Sequence, residues 1–312
     1  VFDNAQSPED IRNYLPQGGA GHVIITSRNP NWSGVSKLLP VKIFKRPESI
    51  DFLCKRTGQS DRKAADALAE ELGDLPLALE QAGAYIETTG RSISDYLALF
   101  QDHQKELLRR AKPSVDYPYT VATTWEISFQ KVLEEYPDGA DLLNICSYLA
   151  PDDIPRDLLI KSAAQFPEPL SSVIADPISF DDAVSIHRRY SLIEVTGDSL
   201  SVHRLVQAVV RDRLSDDDKK MWAETAMRIL SDAFPYKSDD VQTWHLSKRL
   251  LPHALAATAH AENLVVAKED TAYILNQTGL YLMDHAELSE AKANFEKALS
   301  IAKEVYGERH PK

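Results

Sequence analysis

Apolar positions divide the chain into a short α/β-like start and a long helical remainder. Two runs of β-branched and aromatic residues come first, Val1-Phe2 and Val23-Ile24-Ile25. Neither alternates with polar residues, which suits strands buried on both faces of a parallel sheet. Between them, Ser7-Pro8-Glu9-Asp10 followed by Ile11, Tyr14 and Leu15 reads as a short capped helix with proline in its first turn. Gly18-Gly19-Ala20-Gly21 turns the chain into the second run, and Val41-Lys42-Ile43-Phe44 is expected to add a third strand. Strand, helix, strand is α/β grammar, in an amount too small for a free-standing sheet.

From Pro47 onward the apolar residues recur at helical spacing. Ile50, Phe52 and Leu53 open this region, and residues 64–72 form a helical run closed by Gly73. Leu75-Pro76-Leu77-Ala78-Leu79 starts the next helix, with proline where its missing N–H costs nothing, and Gly90 stops it. Residues 96–110 predict another helix and residues 112–118 a linker. A second unit begins near Tyr119, with helices around 125–133, over 140–149, from Arg156 and over 180–188, and a loop at Pro151-Asp152-Asp153-Ile154-Pro155. Leu192-Ile193-Glu194-Val195 and Leu200-Ser201-Val202-His203 flank Gly197-Asp198, the signature of a β-hairpin. Three helices and a hairpin suggest a winged helix, which helix 204–214 follows. After Ser215-Asp216-Asp217-Asp218 the pattern predicts paired helices over 219–234, 241–260, 271–284 and 288–306. The expected fold class is mainly α, with two or three strands left of an α/β sheet.

Composition narrows the partners. Over 312 residues the formal net charge is −12 and the isoelectric point about 5.2, which disfavours nucleic acid or an anionic membrane as partner. The two cysteines, Cys54 and Cys146, lie far apart, as fits a reducing, cytoplasmic compartment without a disulfide framework. No run approaches the roughly 18 apolar residues of a membrane span. The chain opens on an apolar strand with no initiating Met and no basic leader, so it is expected to be cut there.

Asp3 closes the first apolar run, where P-loop ATPases place the carboxylate that holds Mg²⁺ through water. The alternative is an acid capping a turn. Thr26-Ser27-Arg28 closes the second run and puts a guanidinium at the carboxyl edge of the sheet, where open α/β folds bind ligands. Its fork matches phosphate oxygens. Gly-x-x-x-x-Gly-Lys-Ser/Thr, the loop that cradles phosphates, occurs nowhere in the chain.

Taken together, Val1-Phe2-Asp3-Asn4, Gly21-His22-Val23-Ile24-Ile25-Thr26-Ser27-Arg28 and Leu72-Gly73-Asp74-Leu75-Pro76-Leu77-Ala78-Leu79 resemble the NB-ARC family of STAND ATPases. The resemblance implies Walker B at Asp3, a sensor arginine at Arg28 beside Thr26 and Ser27, and the family's Gly-Leu-Pro-Leu-Ala loop, whose Leu75 and Pro76 face adenine. Asp74 is an insertion into that loop. Asn4 stands where Walker B carries a second acid, which implies a slow switch rather than a fast ATPase. The family's Met-His-Asp motif has its counterpart at Val202-His203-Arg204. That gives His203 the role of touching the β-phosphate of ADP, with Arg204 in place of the acid; a packed structural histidine is the alternative. Leu275, Gly279, Leu282, Ala291, Phe295 and Ala298 follow the small/large pattern of a tetratricopeptide repeat, and the tail from Ala298 to Pro311 resembles the longer repeats of kinesin light chains. An ordinary helical hairpin is the alternative.

On this resemblance, residues 1–46 are the end of a P-loop domain, 47–112 a helical domain, 113–216 a winged helix and 217–312 repeat-like helices, with the first clear repeat at about 271–312. The implied function is a signalling switch, as in innate immunity: ADP, ATP and Mg²⁺ bind the intact protein, and the repeats take a protein partner. Activation would let it self-assemble. The chain alone is expected to hold no nucleotide and to hydrolyse none. Two other readings stand beside it, a repeat scaffold with a degenerate NB-ARC region and a winged-helix transcription regulator. The scaffold draws on Asn4 and Arg204; the regulator would need a basic recognition helix, for which only Arg204, Arg211 and Arg213 cluster.

Overall fold

The structure, a computed structural model, describes residues 1–312 except 4, 17, 19–21, 33, 111–120, 235–240 and 308–312. Asn4, the glycine tract at 19–21, the linker at 112–118, Tyr119 and the tail at 308–311 therefore lie outside the described residues. The helices are α1 Pro8–Ile11, α2 Arg46–Thr57, α3 Arg62–Glu71, α4 Pro76–Thr89, α5 Ile93–Arg110, α6 Val121–Glu135, α7 Leu142–Cys146 and α8 Arg156–Lys161. They continue with α9 Leu170–Ala175, α10 Pro177–Arg189, α11 Arg204–Arg213, α12 Asp216–Ala233, α13 Val241–Leu264, α14 Lys268–Asp284 and α15 Leu288–Tyr306. The fold is mainly α, as the apolar periodicity indicates. None of the described helices is long and apolar enough to cross a membrane.

Two compact units are present, and the chain passes between them repeatedly. The first comprises residues 1–135, 185–192 and 203–209; the second comprises 136–184, 193–202 and 210–312.

In the first unit, Phe2 and Ile25 form a parallel bridge, with Phe2 N–H donating to the Ile24 carbonyl at 2.8 Å and Thr26 N–H to that of Phe2 at 2.9 Å. The third strand expected at Val41 to Phe44 does not form. Val41 is 96% exposed, and Phe44 N–H donates to the Asp74 carbonyl at 3.1 Å, so this run ends on a helical loop instead of a sheet edge. Helix boundaries follow local chemistry. The Asp61 carboxylate accepts from Ala64 N–H at the start of α3, and Pro76 is the first residue of α4. Gly58 and Gly90, both at φ +68°, end α2 and α4 in the left-handed region that glycine enters freely. Leu53, Leu68, Leu79, Ile86 and Phe100 are fully buried among these helices, each burial worth about 1.5–3 kcal/mol.

In the second unit, β1 Ile154–Pro155, β2 Glu194–Thr196 and β3 Ser199–Ser201 make an antiparallel sheet in the order β1-β3-β2. The expected hairpin is present: Thr196 pairs with Ser199 across a two-residue turn in which Gly197 takes φ +61°. The loop expected at 151–155 is a loop only to Asp153, because Ile154 and Pro155 pair with Leu200 and Ser199. Arg249 of α13 ties this sheet to the long helices. Its guanidinium donates to both oxygens of Asp153 and to Ser199 Oγ, and reaches Asp198 at 2.7 Å. α14 and α15 form a helical hairpin in which Leu275, Leu282, Ala291 and Ala298 are buried. Gly279 lies against the Phe295 ring so closely that a Cβ there would sit 2.7 Å from a ring carbon.

Candidate functional site

The expected nucleotide-facing residues all fall in the first unit. At the strand ends, Thr26 Oγ1 donates to Asp3 Oδ1 at 2.5 Å, and Ser27 Oγ donates to the Ala5 carbonyl at 2.7 Å. Asp3, Thr26, Ser27 and Arg28 are all exposed. A single parallel bridge sets the Asp3 carboxylate beside Thr26; the two apolar runs do not extend into strands, and Val1, Val23 and Ile24 are exposed instead of buried on both faces. Arg28 Nη1 donates to Ser128 Oγ of α6 at 3.0 Å, while its carbonyl accepts from Ser191 Oγ at 3.1 Å.

The second cluster forms where α3 hands over to α4. Gly73 at φ +60° and Asp74 at φ +56° take consecutive left-handed conformations, which reverse the chain within two residues. Leu75 then caps α4 and Pro76 opens it. A non-glycine residue pays for that conformation, and the Asp74 side chain supplies the offset. Its carboxylate, 14% exposed, accepts from Arg46 Nε at 2.9 Å and Nη2 at 3.0 Å. Burial pushes the Asp74 carboxyl up; the hydrogen bonds from Arg46 and Ser49 outweigh it and leave the group below the usual carboxylate range. The insertion read from the sequence as a small departure is thus the residue that fixes the loop.

His203 meets this loop. Its Nε2 lies 3.0 Å from the Gly73 carbonyl, and its Nδ1 accepts from Leu205 N–H at 3.2 Å. A ring nitrogen that accepts cannot carry the proton, so the ring is the neutral tautomer with Nε2–H donating to Gly73. A Cβ on Gly73 would stand 2.6 Å from Nε2, so the ring packs on glycine because no side chain intervenes. The Trp125 ring of α6 lies 6.1 Å from the imidazole. Trp125 and Ser128 are three residues apart on α6 and share a face, so one helix carries contacts to both His203 and Arg28.

The donor set suits part of a Mg-nucleotide. One exposed carboxylate can hold a cation through water, and one guanidinium and one imidazole N–H can meet phosphate oxygens. Among the described residues no group of three or more His, Cys, Asp or Glu is arranged to hold a metal directly. Arg46, Glu70 and Trp125 were not among the expected site residues, and the contact of Arg204 with Glu70 was not foreseen although Arg204 itself was singled out.

A family model described as a domain of unknown function, DUF7779, matches residues 131–219. Over 334 aligned residues, covering 99% of this chain, the sequence is 25% identical to a "Nucleotide-binding leucine-rich repeat (NLR)-like protein" of Hyaloscypha variabilis. The chain spans 32% of that relative's length. No solved structure matches it significantly. The chain is thus similar, along nearly its whole length, to about a third of an NLR-like protein.

Proposed function

We propose that this chain is the sensing and relaying part of a STAND-type nucleotide switch that acts in innate-immunity-like signalling in the cytoplasm. The observation that carries the reading is the convergence on α6, whose Ser128 holds Arg28 and whose Trp125 faces His203, itself seated on the Gly73 loop. In this reading Asp3, which Asn4 follows in sequence, holds Mg²⁺ through water, and Arg28, with Thr26 and Ser27, meets the terminal phosphate. Leu75 and Pro76 line the adenine side, and His203 Nε2–H turns from the Gly73 carbonyl to the β-phosphate of ADP. Bound Mg²⁺ would neutralise phosphate charge. The hairpin sheet acts as the winged-helix part, and α14 and α15 as a tetratricopeptide-type repeat that takes a protein partner. Similarity to an NLR-like protein supports the class of switch. A partner shifts such a switch only by its differential affinity for the two states.

Calorimetric titration with ADP tests this on the 312-residue chain and on a protein extended upstream. The chain alone is expected to show no binding. The extended protein should bind in the micromolar range, with His203→Ala and Pro76→Ala each weakening it by about tenfold, or 1.4 kcal/mol. An extended protein that neither carries nor binds nucleotide would leave the repeat scaffold as the better reading.

A further inference from the structure

Arg204 stands where the resembling family has an acid, and it makes a contact that the sequence does not foretell. Its Nη1 donates to the Glu70 carbonyl at 2.8 Å and its Nη2 to Glu70 Oε1 at 3.2 Å. Glu70 lies in the last turn of α3, where the helix dipole favours a cation, and its carbonyl also accepts from Gly73 N–H at 3.1 Å. The other Glu70 oxygen, Oε2, pairs with Arg46 Nη2 at 2.5 Å, and Arg46 in turn grips Asp74. Four charges therefore run in alternating sign from Arg204 through Glu70 and Arg46 to Asp74, around the turn whose Gly73 carbonyl takes the His203 proton. An exposed ion pair alone contributes little. Here one guanidinium also binds a backbone carbonyl, and Glu70 is shared between two arginines, so neighbouring groups already hold the geometry.

We infer that Arg204 and Glu70 form an autoinhibitory latch made of protein groups alone, which keeps His203 on the Gly73 loop when no nucleotide is bound. His203 and Arg204 are consecutive in the chain and grip carbonyls three residues apart, Gly73 and Glu70, so the two contacts are expected to open together. That the latched arrangement is the off state rests on the switch reading above; the latch itself does not.

Hydrogen exchange of the nucleotide-free chain followed by mass spectrometry tests it. The Leu205 amide reports the His203 ring, and the amides of Gly73 to Leu75 report the turn. Arg204→Met is expected to raise exchange in both segments by the same factor, about five- to tenfold, while α14 and α15 of the second unit stay as in the wild type. Arg204→Lys, which keeps the charge but loses the fork, should raise both by about two- to threefold and guards against a general folding defect in the first variant. Glu70→Gln should fall between, since the carbonyl contact survives. Unchanged exchange in both segments, or a rise in one of them only, overturns the latch. Adding ADP to wild-type protein extended upstream separates the two ideas. Protection that does not change there counts against the nucleotide reading and leaves the Arg204 result standing.

Discussion

His260 shows how much a single side chain can depend on its surroundings. Its ring meets Tyr148 edge-on at 5.3 Å, and burial, aided by the Arg211 charge, lowers its pKa to about 4. An unfolded histidine titrates near 6.5. Between these values the unfolded chain binds a proton that the folded chain refuses, so stability falls as pH drops from about 6.5 to about 4 and this group adds no further loss below that. The loss is expected to be about 2 kcal/mol, less than the full shift implies because water reaches part of the ring. Urea unfolding of wild type and His260→Gln across that range checks it: their difference in stability should narrow on acidification and stay flat above pH 7. A constant difference would mean that His260 titrates normally. Nothing in the spacing of the nine histidines singles this one out, because its environment comes from the turn after α7 and from α11, remote in sequence. The positions of Asp3, Arg28 and His203 could be picked out because each follows an apolar run or hairpin visible in the local sequence. The contacts of Trp125 and Arg204 could not, because their partners, His203 and Glu70, are remote in sequence.

At the scale of elements, the hairpin of α14 and α15 is the part most completely readable in advance. The bounds of α15 match the expected 288–306, and the small residue at Gly279 faces the large one at Phe295, as the alternation of sizes requires. Gly279→Ala should cost about 1–3 kcal/mol by forcing the Phe295 ring aside, even though alanine is the better helix former. Gly279→Ala combined with Phe295→Leu should recover part of that loss in thermal unfolding. Equal stability of Gly279→Ala and wild type would show that the ring yields freely. β1 illustrates the opposite case. Two residues carry no period, and Ile154 and Pro155 join the sheet only because β3 is there to receive them. Val41 to Phe44 fails in reverse: its composition favours a strand, but no neighbouring edge is offered among the described residues, and Asp74 takes the Phe44 N–H instead.

For the whole molecule, the interleaved chain matters more than any element. Residues 185–192 and 203–209 return to the first unit after the second has begun, and α10 and α11 each run across that division. A polypeptide ending at Glu135 therefore lacks His203 and Arg204, and is expected to unfold at lower urea concentration and with a shallower transition than the full chain. Adding residues 136–312 as a separate polypeptide should restore the sharp transition, and failure to do so would show that covalent continuity is needed. The matched family segment, 131–219, includes pieces of both units. Arg249 sets a further condition on how such proteins diversify. Recombination that exchanges the C-terminal helices between relatives can break the chain after α11, but the newcomer must bring a fork that fits Asp153 and Asp198, which stay behind with the recipient. Modular exchange here is a matter of matched inheritance across a seam, and Arg249, Asp153 and Asp198 are one set of contacts a graft has to match.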